Sequence, residues 1–107
     1  MSLINSDVIN EAYSNLAIAL RDHAFTAVGL QRAKEELETE ILQAIHGGVI
    51  DGRNEQQRQA QARELFPQLF DNVAMRTAEE QDAKLAYDLA KIEVERVRAL
   101  LRLVLES

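Results

Sequence analysis

With 107 residues and a formal net charge of −6, the chain is sized for one domain and is too acidic for non-specific attraction to nucleic acid or an anionic membrane. It has no cysteine, which excludes disulfides, thiolate metal sites and a cysteine nucleophile. One proline, four glycines and 5% aromatic residues favour helices over a sheet.

The start, Met1-Ser2-Leu3-Ile4-Asn5-Ser6-Asp7, lacks the basic stretch of a signal peptide. No apolar run approaches the roughly 20 residues needed to span a bilayer, so a cytoplasmic location without membrane contact is expected. Ser6 reads as an N-cap, with Asp7 and Glu11 near the positive helix end. A 4-3 spacing follows: Ile9, Tyr13, Leu16, Leu20, His23, Ala27, Leu30, Lys34, Leu37, Ile41, Ala44. Nine of these eleven positions are apolar, which predicts a coiled-coil-like helix over about 6–46. Gly29 inside it costs about 1 kcal/mol relative to alanine in an exposed position. A close helix crossing is the preferred explanation, a hinge the other. His23 on this seam is expected to be a boundary histidine with a hydrogen-bond partner rather than a catalytic base. Lys34 either reaches out to solvent or fixes register against an acidic partner.

Residues 47–53 form the expected turn and hold three of the four glycines. Gly47-Gly48 suits the position just past a helix end, and Asp51-Gly52 is a turn dipeptide. Asn54 is placed to cap the second helix by accepting from the amide of Gln56 or Gln57, with Gln57 reaching back as in a capping box. Val49 and Ile50 are apolar in a loop. They either fold back over the end of the seam, the preferred reading, or form a tip that inserts into a partner. Val49, Ile50, Arg53 and Arg58 are the candidate partner-binding turn.

The second helix is expected over about 54–105. Its first part is polar and glutamine-rich. Pro67, within Leu65-Phe66-Pro67-Gln68-Leu69-Phe70, predicts a kink or break near 66–67 that bends the helix without ending it. From Ala83 there are two apolar stripes. One is Ala83, Tyr87, Ala90, Val94, Val97, Leu101, Val104; the other is Leu85, Leu89, Ile92, Ala99, Leu103. Between them run Lys84, Asp88, Lys91, Glu95, Arg98 and Arg102, able to pair at i+3 and i+4. A single partner helix covers one stripe only. If Ile45 and Asn54 lie opposite each other, residues beyond about Ile92 also overrun helix one. Together these predict an all-α, long antiparallel hairpin that dimerises into a four-helix bundle, or forms a higher oligomer. The interface would be Leu85, Leu89, Ile92, Val94, Val97, Leu101, Leu103 and Val104.

No catalytic, metal or cofactor pattern is readable. Neither histidine follows a glutamate by three residues, as di-iron bundles require, since Leu20 precedes His23 and Gln43 precedes His46 at that spacing. No phosphate loop follows Gly47-Gly48. The groups Glu35, Glu36, Glu38, Glu40 and Glu79, Glu80, Asp82 read as solvated faces. Arg53, Arg58, Arg63 and Arg32 can crowd the turn, but no aromatic residues interleave with them to stack on single strands. A non-enzymatic, self-associating interaction or scaffold module is therefore expected. The alternative is a nucleic-acid accessory protein of phage or prophage origin.

That alternative rests partly on Asp51-Gly52-Arg53-Asn54-Glu55-Gln56-Gln57-Arg58. The segment resembles small uncharacterised helical proteins of phages and prophages, which tend to show a Gly-Lys/Arg-Asn-Glu-x-x-Arg run. A long charged helix then ends in a Leu/Arg-rich tail, here Arg96-Val97-Arg98-Ala99-Leu100-Leu101-Arg102. The resemblance covers roughly the second half of the chain, and Pro67 interrupts the helix that should follow the motif. It implies a bacterial or phage intracellular setting and no activity.

Overall fold

The computed structural model describes residues 4–106. These are all-α: α1 (Ser6–His46), α2 (Glu55–Leu65) and α3 (Pro67–Glu106), with no strand among the described residues. The chain is a helical hairpin whose second arm is interrupted at Phe66. Its contacts divide it into two compact units, residues 4–26 with 80–106, and residues 27–79.

In the first unit the start of α1 packs antiparallel against the end of α3. Ile4, Ala12, Val94 and Val97 are buried there, with Val8, Ile9, Leu16, Leu100 and Leu101 packed around them. Asn5, not Ser6, caps α1: its Oδ1 accepts the Val8 amide at 2.9 Å, and Ser6 is the first helical residue. In the second unit the buried residues are Ala33, Ile50 and Ala62.

The contact line of α1 is rotated by one residue from the expected seam at alternate positions. Ile9, Leu16, His23, Leu30, Leu37, Ile41 and Ala44 are half-buried as the spacing predicts, so the rotation ends at Lys34. Tyr13, Leu20, Ala27 and Lys34 are exposed; Ala12, Ala19 and Ala33 are buried instead, with Thr26 half-buried between them. The distance between helix axes depends on the side chains at the contact. Alanine at these positions lets the backbones approach, while tyrosine and leucine there would hold them apart. Large apolar side chains therefore remain outside, including Tyr13, Ile18, Leu20 and Phe25.

Pro67 ends α2 rather than bending it. The residue before a proline is pushed out of the helical region, and Phe66 has φ −126° and ψ 50°. Its amide still donates to the Ala62 carbonyl at 2.8 Å, and its own carbonyl accepts from Leu69 and Phe70 at 3.1 and 3.2 Å. Proline suits the first position of a helix, where no amide hydrogen is needed, so α3 starts at once. Of the four apolar residues expected to carry one face across the break, Phe66, Leu69 and Phe70 are half-buried, whereas Leu65 is exposed.

Gly29 does not mark a close crossing. A Cβ built there meets only the Arg76 side chain, at 4.0 Å. With ordinary helical backbone and room for a methyl group, Gly29→Ala should raise stability by about 0.5–1 kcal/mol through the lower entropy of the unfolded chain. Urea denaturation would show this as a higher midpoint at unchanged slope.

Candidate interaction surfaces

The turn is built from the end of α1. Gly47 donates to Gln43 at 2.9 Å and Gly48 to Ile45 at 3.1 Å; Val49 and Ile50 both donate to Ala44, at 2.9 and 3.0 Å. Gly48 has φ 77°, the left-handed conformation that stops a helix and that a side chain disfavours. This geometry turns Ile50 inward to 2% exposure while Val49 stays exposed. Ile50 thus closes the end of the apolar seam and cannot be part of a partner-binding tip.

The second side of the turn comes from α2. Asn54 Oδ1 accepts the Gln57 amide at 2.9 Å, as its capping role predicts. Gln57 reaches back one residue further than in a capping box, to the Arg53 amide at 2.8 Å. Gln61 holds the loop tip: its Oε1 accepts from Asp51 and Gly52 at 3.2 and 2.8 Å, and its Nε2 donates to Asp51 Oδ1 at 2.8 Å. Gly52 lies so close to α2 that an added Cβ would sit 2.8 Å from the Arg58 amide nitrogen. Arg58 donates to the Gly52 carbonyl at 3.2 Å and to Glu55 at 3.4 Å. The Gln59 amide and then the Arg58 guanidinium hold the Glu55 carboxyl below its ordinary range.

The expected partner-binding turn is therefore divided. Val49 and Arg53 are exposed, whereas Ile50 is buried and Arg58 is half-buried against the loop. Arg63 lies over the Phe70 ring at 4.9 Å, and Asp51, Glu55 and Glu64 stand among these arginines. The turn carries mixed charge rather than a basic patch. A shallow cleft lined by Asp51, Gly52, Arg53, Gln57, Ala60, Gln61 and Glu64 follows from the same packing. Beside it on the second unit lies an apolar groove formed chiefly by Leu37, Ile41, Leu42, Ile45 and Phe70, rimmed by Lys34 and Glu38.

His23 Nε2 lies 3.1 Å from Glu80 Oε1, with both side chains half-buried. The ring stacks on Tyr87 at 5.7 Å between centroids. This is the boundary histidine the seam predicts. Its partner, however, belongs to the acidic group expected to be wholly solvated. Glu80 differs from Glu79 and Asp82 because it lies on the inner side of α3, about two turns before Tyr87. No group of three metal-ligating side chains occurs among the described residues, and no helix among them is long and apolar enough to cross a membrane.

The two stripes of α3 have different fates. Val94 and Val97 are buried in the chain's own core, Val97 to 1% exposure, and Leu101 packs against it. Val94 and Val97 are thus not available as interface residues, and Leu101 is so only in part. They are covered by the start of α1, through Ile4, Val8, Ile9, Ala12 and Leu16. Leu85, Leu89, Ile92 and Leu103 are exposed by 57–64%, and Val104 is exposed as well. Of the charges between the stripes, Lys91 pairs with Asp88 at 3.4 Å and lies over Tyr87 at 4.6 Å. Outside that row, Arg96 grips Glu93 through two bonds of 2.6 and 3.0 Å, which lowers the Glu93 pKa.

Because Gln61 alone supplies the acceptor for two loop amides, Gln61→Ala should cost about 1 kcal/mol. Amide exchange at Gly52 should accelerate while exchange in the middle of α3 stays unchanged, as hydrogen exchange read by NMR would show.

No known protein family, curated protein or solved structure matches the chain.

Proposed function

We propose that the protein is a non-enzymatic helical interaction module that associates with itself through the outer stripe of α3, Leu85, Leu89, Ile92 and Leu103. The observation that carries this reading is that α3 is apolar on two opposite faces and only one is covered. At about 100° per residue, this stripe lies roughly 180° around the helix from Val94, Val97 and Leu101. A helix apolar on both sides is normally buried on both sides. Four large aliphatic side chains on one stripe, each more than half exposed, are what an interface looks like before its partner is seated. Two copies joined this way bring four helical arms together, in keeping with the four-helix assembly that the doubled periodicity suggests. The turn and the outer faces then remain free to meet other proteins.

Sedimentation equilibrium across a wide concentration range, with helicity and melting followed on the same samples, tests the reading. A dimer or larger species is expected, with a melting temperature that rises with concentration. Leu89→Asp should give a folded monomer, whereas Val97→Asp should unfold the protein by placing a charge in the core. A wild-type protein that stays monomeric at all concentrations would overturn the proposal.

A further inference from the structure

The outer stripe of α3 also carries information about how two copies would meet. Resting on the self-association reading, we infer that the second copy packs antiparallel on this stripe, about a two-fold axis near residue 94, with Leu85 opposite Leu103 and Asp88 opposite Arg102.

The stripe has the spacing of a coiled-coil seam. Residues 85, 89, 92, 96, 99 and 103 step by four and three residues in turn, and all are exposed. Pairing two such helices in parallel sets every seam residue against itself. Arg96 would meet Arg96 in the seam, and Ala99 would meet Ala99 and leave a gap. On the flanks, Asp88 would face Glu93 of the second copy twice over.

Antiparallel pairing about residue 94 removes each of these conflicts. Leu85 faces Leu103 of the second copy at both ends. Leu89 faces Ala99, so a large residue meets a small one. Ile92 faces Arg96, whose charge its own Glu93 already neutralises at 2.6 and 3.0 Å. The two Arg96 residues stand about 6 Å apart along the axis at about 1.5 Å per residue, in place of direct opposition.

The flanking charges select the same polarity. Asp88, Glu95 and Arg102 recur every seven residues along one edge of the stripe. In an antiparallel pair that edge meets its own copy in reverse order. Asp88 then faces Arg102 twice, and Glu95 faces Glu95 once at the axis; on the other edge Glu93 faces Glu93, each held by its own Arg96. The Arg102 side chain has no hydrogen bond or ion pair within the described residues, and the Asp88 carboxylate meets only Lys91, at 3.4 Å with both side chains nearly half exposed. Both are available for a second copy at little internal cost.

The surface relief fits as well. Ala99, Arg102, Leu103 and Glu106 bound a shallow concavity of about 310 Å³. Their spacing of i, i+3, i+4 and i+7 is that of the four-residue hole that receives one side chain of a facing helix. With the axis near residue 94, the side chain that enters this hole is Leu85 of the second copy.

Charge exchange tests the polarity. Asp88→Arg alone sets arginine against arginine at both ends of the interface, and Arg102→Asp alone sets aspartate against aspartate. Each variant should weaken self-association about tenfold or more while helicity is kept. Mixing the two variants should restore wild-type association as a heterodimer, and the double variant should restore it as a homodimer. Cysteine pairing gives a second readout, undisturbed because the chain has no cysteine of its own. A disulfide should form when Leu85→Cys and Leu103→Cys are mixed, and in neither alone. If wild-type protein associates but Leu85→Cys crosslinks to itself, or the charge variants associate as wild type does, the antiparallel register is wrong and self-association stands. A monomeric wild type overturns both.

Discussion

Two helices lying side by side can each hide only one face. The rest of the structure follows from which residues α1 gives to that face. It gives alanines: Ala12, Ala19 and Ala33 lie against the neighbouring helices, with Thr26 in the same line. Small side chains let the backbones come close but bury little apolar area per residue. The described core is correspondingly narrow, with eight buried residues, all of them apolar. Much of the chain's aliphatic and aromatic surface is thereby left outside the pairing, and on α3 four of these side chains, Leu85, Leu89, Ile92 and Leu103, share one row.

The parts of this arrangement that were legible in the sequence are those set by local chemistry. The C-terminal end of α1, the left-handed glycine, the Asn54 cap and the interruption at Phe66-Pro67 each follow from backbone demands of one or two residues. The twin stripes of α3 were also readable, because periodicity needs no knowledge of the partner. What was not legible depends on how close the helices approach. Ile9, Leu16 and Leu37 fit equally well with Tyr13 and Leu20 or with Ala12 and Ala19 as companions, and hydrophobicity favours the larger pair. Only the packing distance decides for the smaller.

The candidate surfaces divide in the same way. Arginines in a turn and an isoleucine at its tip look available in a sequence, since composition does not reveal intramolecular partners. Arg58 is engaged by the Gly52 carbonyl and Ile50 is tucked under the loop. Gln61, whose residue type announces nothing, organises the turn because it lies ten residues after Asp51, within reach of the loop tip once the chain has reversed. Glu80 is similar: its contact with His23 spans 57 residues of sequence and is invisible to any local pattern.

The break at Phe66 also bears on where the molecule opens. Backbone hydrogen bonding in a helix is cooperative, so a disturbance at one point spreads along an unbroken ladder. Between α2 and α3 that ladder is divided at Pro67, which has no amide hydrogen to donate. Only one residue of α2, Ala62, is buried. Local unfolding starts where few apolar contacts hold the chain. On this argument α2 should open, and be cut by a protease, more readily than α3. Were α3 to carry a contact with a second copy, as proposed, α2 could open and reclose without disturbing that contact.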